Sequence, residues 1–207
     1  IGCGWGGFAR FASKKYGVKV VGVTISKEQA KLAAQLTKDL DVEIRLTDYR
    51  NVQDKFDRIV SIGMFEHVGK KNYRTFFDVV SKNLKKDGLF LLHTIGRNRS
   101  GFKNDPWLEK YIFPNSMLPS LKQIAKSAEK NFVIEDIHNI GTHYDKTLIA
   151  WYDNFLKYAK KNKLDMRFFR MWKYYLLSCA GSFRARKNQV WQIVFSKGAL
   201  SYTPIRY

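Results

Sequence analysis

Short β-rich runs alternate with helical segments from residue 8 to residue 95, and few architectures accept that order. "VKVVGV" (18–23), "VEIRLTD" (42–48) and "FDRIVSIG" (56–63) read as strands, and "LFLLHTI" (89–95) is a strand apolar almost throughout. A strand without polar alternation is covered on both faces, as in a parallel sheet. Helical segments lie between these runs. One covers 8–15. "SKEQAKLAAQLTKDL" (26–40) has Ser26 and Gln29 at capping-box spacing. "NYRTFFDVVSKNLKKDG" (72–88) carries an apolar stripe and is expected to close at Gly88. Strand–helix–strand repetition predicts an α/β fold, a doubly wound, mostly parallel sheet.

The alternation stops at residue 97. Residues 97–120 are polar and aromatic, with Pro106, Pro114 and Pro119. A helix (120–130), a strand "FVIEDI" (132–137), a connection "HNIGTHYD", two helices (147–163 and 165–180) and a last strand "QVWQIVF" (189–195) follow. Because the sheet resumes at that strand, residues 97–187 are expected to form a helical cap or insertion on the substrate side. The chain is read as one domain over 1–207.

Open α/β sheets bind ligands beyond the carboxyl ends of their strands. Two features sit there. "GCGWGG" places Gly2, Gly4 and Gly7 in G-x-G-x-x-G spacing, which suits a tight turn and close backbone approach to a nucleotide. The strand that should precede this loop is outside the chain, which starts at Ile1. The next strand ends "VGVTIS" without the carboxylate that holds a ribose in a dinucleotide site. Asp48 and the aromatic Tyr49 end the following strand and suit an adenine, which favours S-adenosylmethionine over a dinucleotide. The second feature is "SIGMFEHVG" (61–69), where Glu66 and His67 stand together at a strand's end. That pair is compatible with a catalytic dyad, a metal site or a helix start.

Composition bounds the setting. Cys3 and Cys179 are too few for a disulfide framework, so a reduced cytoplasmic compartment is expected. Neither cysteine nor any of the four histidines has metal-ligand spacing, and no metal is expected. No apolar run reaches the roughly 20 residues that span a bilayer. The net charge of +19 implies an anionic partner. Between Lys157 and Lys187 stand ten basic residues and one acid, Asp165, interleaved with Tyr, Phe and Trp. Charge alone leaves nucleic acid and an anionic lipid surface open. No RNA-recognition strand motif is present, which weighs against nucleic acid.

Longer blocks are more specific. "IGCGWGG", "VVGVTISKEQ", "FDRIVSIGMFEHVG", "LFLLHTIG", "DPWLEKYIFPN", "HNIGTHYDKTL", "YYLLSCAGSFRAR" and "WQIVFS" together resemble the cyclopropane-fatty-acyl-phospholipid synthases, relatives of the mycolic acid cyclopropane synthases, from Ile1 to about Ser196. The resemblance implies a class I S-adenosylmethionine-dependent methyltransferase fold, Rossmann-like and seven-stranded, with a lipid-binding cap. It implies methyl addition across a cis double bond of an unsaturated phospholipid acyl chain, then proton loss to a bound bicarbonate to close the ring. Gly2, Cys3, Gly4 and Gly7 then match the cofactor loop, and Thr24, Ile25, Ser26 and Gln29 the ribose side. Tyr49 matches the adenine side, with Arg50 beside it. Glu66, His93, Ile95 through its backbone, and Tyr144 match bicarbonate contacts, and Cys179 matches a cysteine often assigned as active. His67 falls to a supporting role, since strand alternation would point it away from Glu66. The family's upstream Tyr-Ser pair, a further cysteine and its N-terminal domain are expected before residue 1. The same resemblance implies peripheral association with the inner face of the membrane, no nucleic acid and a possible homodimer.

Overall fold

The structure, a computed structural model, describes residues 1–101, 105–198 and 202–204. In chain order the elements are α1 (Gly7–Tyr16), β1 (Val20–Thr24), α2 (Lys27–Leu36), β2 (Val42–Leu46), β3 (Phe56–Ile62), α3 (Tyr73–Asn83) and β4 (Leu84–Arg97). Then come α4 (Pro106–Tyr111), α5 (Leu121–Ala128), β5 (Val133–Asn139), α6 (Gly141–Asn162), α7 (Met166–Arg184) and β6 (Asn188–Ser196).

The strands form two ladders. β1 and β2 pair in parallel, with Val20 opposite Val42. The second ladder has the order β3-β4-β6-β5. β3 runs parallel to β4, and β6 runs antiparallel to both β4 and β5. One reversed strand in an otherwise parallel ladder agrees with the mostly parallel expectation, but the described residues hold six strands in two ladders where one sheet of seven was expected. A groove of about 750 Å³ separates β1 from β3, lined by Val21 and Val23 on one side and Arg58 and Val60 on the other. The chain start bridges it. Cys3 N donates to Val23 O (2.9 Å), and the Ile1 amino group donates to Val60 O (2.7 Å).

The core is aromatic for a register reason. Antiparallel pairing sets Phe90 of β4 opposite Phe195 of β6, and the two rings stack at 5.4 Å. α3 lays Phe76, Phe77 and Val80 on that surface, all fully buried. Phe77 meets Phe195 edge-on at 5.4 Å. Such pairs contribute about 0.5–1.5 kcal/mol each beyond area burial. Ile124 and Ala128 of α5 complete the same cluster.

Three expectations change. The helix over 72–88 ends at Asn83, and Leu84–Gly88 is extended. Leu84 is fully buried opposite Phe56, a contact available only from a strand. Gly88 is therefore inside β4, not a helix cap. The helix expected from 147 begins at Gly141, whose N–H donates to Asn139 Oδ1 (3.0 Å). That places Tyr144 in the first turn of α6. The segment 97–187 is not one continuous insertion. α5 packs on the core and β5 pairs with β6, so the cap divides into α4 with its flanks and the α6–α7 hairpin. Of the segment's residues, 102–104 lie outside the described ones.

Candidate active site

Glu66 is held where β3 gives out. Gly63, at φ +65°, turns the chain and donates its N–H to His93 O on β4 (3.0 Å). Residues Phe65–His67 then form one short helical turn. Phe65 is fully buried against Tyr73, with ring centroids 4.4 Å apart, and Glu66 beside it is only 7% exposed. A carboxylate buried this far needs donors. Glu66 Oε1 accepts from Ile95 N (2.7 Å), whereas Oε2 is buried with no hydrogen-bond partner. Burial pushes the Glu66 carboxyl above its ordinary value, and the bond from Ile95 only partly opposes that.

Glu66 borders a chamber of about 510 Å³ that also meets Ile95, Tyr144 and Cys179. These expected residues come from three distant stretches: the turn after β3, the end of β4, and the two cap helices. Phe113, Trp151, Tyr174, Tyr175 and Phe183 supply much of the remaining wall. The Tyr144 phenol is held protonated by burial, then by the nearby Glu66 charge. Burial likewise pushes the Cys179 thiol up to about 11, so it is neutral at pH 7. Tyr144 packs on Trp151 and Phe183, with centroids at 5.9 and 5.1 Å.

The histidines are placed differently from the expectation. His93 sits two residues before Ile95 on the same face of β4 but does not border the chamber. Its Nδ1 lies 3.4 Å from Gln192 Nε2 on β6, and burial lowers its pKa. His67 does border the chamber, because residues 65–67 form a helical turn and strand alternation does not apply to them. Arg97 was not anticipated. It borders the chamber two residues beyond Ile95, and its Nε donates to Leu118 O (3.1 Å). The period-two spacing His93, Ile95, Arg97 was the available signal.

The cofactor-side residues lie in the loop that enters α1 and after the ends of β1 and β2. Gly2 (φ +69°) and Gly4 (φ +54°) take the left-handed conformation. A Cβ on Gly2 would lie 2.7 Å from Met64 Cγ, while one on Gly4 or Gly7 would meet open space. The loop is therefore pressed on the protein at one end and open at the other, as a ligand cradle requires. Cys3 packs on Gly22 of β1. Ser26 Oγ caps α2 by accepting from Gln29 N (3.2 Å). The reciprocal half of the expected capping box does not form. Ser26 N donates to Thr24 Oγ1 (3.2 Å), and Thr24 Oγ1 donates to Gln29 Oε1 (2.9 Å). Ile25 is among the most exposed apolar residues. Tyr49 packs edge-on to Phe76 at 5.5 Å. The Asp48 carboxylate, expected toward adenine, takes Arg50 Nε and Nη2 at 2.9 and 2.8 Å.

A glycine loop leading into the first helix, with a capped second helix beside it and the reactive pocket under a helical cap, is the layout of class I S-adenosylmethionine-dependent methyltransferases. The family described as mycolic acid cyclopropane synthetase matches residues 1–193. The chain belongs to that family. It is 58% identical over 200 residues to the cyclopropane-fatty-acyl-phospholipid synthase of Escherichia coli (strain K12), covering 96% of this chain and 52% of that protein. The chain thus spans about half the length of the curated relatives it matches. The cyclopropane synthase MmaA2 of Mycobacterium tuberculosis superposes with TM-score 0.87 at 29% identity, over 95% of this chain and 76% of that one. The mycolic acid cyclopropane synthase CmaA1, solved with SAH and CTAB, gives TM-score 0.85 at 32% identity over the same shares.

Proposed function

We propose that this chain is the catalytic domain of a cyclopropane-fatty-acyl-phospholipid synthase. On this reading it methylates a cis double bond of an unsaturated phospholipid acyl chain at the cytoplasmic face of a membrane. The observation that carries the reading is the chamber itself: one buried carboxylate and one phenol in a space lined largely by aromatic rings. When bound, S-adenosylmethionine supplies the methyl group and bicarbonate supplies the base. The 58% identical cyclopropane-fatty-acyl-phospholipid synthase supports the substrate class, and the 32% identical CmaA1, solved with SAH, supports the donor.

The residues fit both groups. Gly4 and Gly7 leave backbone room for the donor, Gln29 offers an amide side chain on the ribose side, and Tyr49 offers a ring. The unpartnered Glu66 Oε2 accepts from an acid O–H, and the Tyr144 O–H donates to an anion. Ile95 N–H points to the same place but is given to Glu66 Oε1, so an anion would share or displace that bond.

The enclosing rings answer a chemical need. An alkene is a weak nucleophile, and its methylation leaves a carbocation that water would trap as an alcohol. Phe113, Trp151 and Tyr175 line the chamber, and aromatic ring faces attract cations through their quadrupoles. Cys179, neutral at pH 7, contributes shape and not nucleophilicity.

The test is incubation with labelled S-adenosylmethionine and vesicles of unsaturated phospholipid. Label in a cyclopropane fatty acid supports the reading. Donor binding with no labelled lipid overturns it, and label in a methyl-branched chain without a ring replaces it with a branched-lipid methyltransferase.

A further inference from the structure

The α6–α7 hairpin is buried at one end and exposed at the other. Its fully buried apolar side chains, Leu148, Leu176, Ala180 and Phe183, all lie at the sheet end. From Ile149 to Tyr175 no residue is fully buried. A 22-residue helix is about 33 Å long, so much of the hairpin projects beyond the chamber. Two kinds of side chain crowd the projecting end. Leu156, Tyr158, Met166 and Phe168 are exposed, with Met166 60% accessible. Around them stand seven basic residues, from Lys157 to Lys173, against the single acid Asp165. Asp165 is already used, since it caps α7 by accepting from Phe168 N (2.9 Å). Among the described residues none of these seven cations forms an ion pair.

Between the two helices runs an open aromatic groove of about 310 Å³, walled by Trp151, Phe155, Tyr158, Trp172 and Leu176. Trp151 also walls the 510 Å³ chamber that holds Glu66 and Tyr144. Trp151 is thus common to the groove and the chamber.

We propose that the free end of the α6–α7 hairpin docks on an anionic phospholipid bilayer and that the groove leads an acyl chain from there past Trp151 into the chamber. The second clause rests on the function proposed above; the first does not. Unpaired cations interleaved with exposed aliphatic and aromatic side chains match a headgroup layer over an acyl boundary. A nucleic acid would satisfy the cations but give Met166 and Leu156 no apolar partner. A second copy of the same face would set seven like charges against seven.

The experiment uses the whole chain and three variants: Lys160→Glu/Lys163→Glu/Arg167→Glu, Met166→Ser/Phe168→Ser, and Trp172→Arg. Sedimentation is measured with vesicles of phosphatidylcholine alone and with 30% phosphatidylglycerol. The wild type should bind the anionic vesicles, and binding should weaken as salt is raised. Each cation near an anionic surface is worth about fivefold in affinity, so the triple variant should lose on the order of a hundredfold or more. The double variant should lose binding without losing its salt dependence. Thermal melts and S-adenosylmethionine binding of both should match wild type. Both should keep turnover on detergent-dispersed unsaturated lipid while losing it on vesicles. Trp172→Arg should bind vesicles normally and turn over both substrates more slowly. Wild-type vesicle binding by the first two variants overturns the docking surface. Tighter binding to RNA than to anionic vesicles at one ionic strength, or a dimer abolished by the tip variants, also overturns it. Unchanged turnover in Trp172→Arg overturns the groove. Failure of every protein, wild type included, to methylate any lipid overturns the function and with it the groove, while the vesicle measurement still decides the docking.

Discussion

Glu66→Gln should make the protein more stable and less active, and the stability gain should depend on pH in one direction. In the wild type the side chain is 7% exposed, one oxygen accepts a 2.7 Å bond from Ile95 N, and the other has no partner. Burial outweighs that bond, so the folded carboxyl holds its proton above the ordinary value of 4.5. Between 4.5 and the raised folded value the native state binds more protons than the unfolded state, so this group's contribution to stability falls as pH rises. Its cost is absent below the ordinary value and fully present above the folded one. An unsatisfied buried polar group costs about 1–3 kcal/mol. Glutamine keeps the Ile95 bond and removes the charge, but it brings an amide N–H pair that also wants partners, so the net gain is on the order of 1 kcal/mol. For a chain of this size that raises Tm by about 2–4 °C. Thermal melts of both proteins from pH 4 to pH 8 measure it. The difference should be near zero at pH 4 and grow as pH rises above 4.5, while turnover drops by about a hundredfold or more. A difference independent of pH, or a variant less stable at pH 8, would refute the view that Glu66 is a desolvated carboxyl held at a cost.

Tyr144→Phe should lower turnover by about 10²–10³-fold, the effect of losing one preorganised donor, with S-adenosylmethionine affinity changed less than about twofold by calorimetry. Cys179→Ala should keep turnover within about tenfold, because the thiol is neutral at pH 7; iodoacetamide labelling of Cys179 should rise steeply only as pH approaches its pKa of about 11. Gly96→Ala should destabilise the fold, since its Cβ would lie 2.0 Å from the Trp191 ring and 2.8 Å from Pro119 O. Overpacking of that kind costs about 1–3 kcal/mol or more, and an unchanged urea midpoint would contradict it.

Much of the fold was legible because its signals are local. Ser26 before a helical run, the apolar strand 89–95 and the glycines of the loop each act within a few residues, and each lies where periodicity and capping placed it. Leu84 shows where local signals fail. A helical stripe runs through it, but the chance to be fully buried opposite Phe56 draws it into β4. His67 shows the same limit at the site. Adjacent in sequence to Glu66, its direction depended on whether residues 65–67 were strand or turn, and burial of Phe65 decided that.

The sequence by itself determined the α/β class, the loop at the first helix, the residue types of the site and the basic character of the hairpin. The class, the loop and the basic hairpin follow from composition and short-range pattern, and the site's residues from the longer blocks that resemble the family. The tertiary structure alone decided which of those residues share one space. Glu66, Ile95, Tyr144 and Cys179 span more than a hundred positions, and only the packing of two strand ends against α6 and α7 brings them to one chamber. It also decided that Ile95 N–H is taken by Glu66 and that His93 turns to Gln192. The physical reason is that burial and hydrogen-bond competition are settled among all neighbours at once, and a chain position carries no record of its distant neighbours.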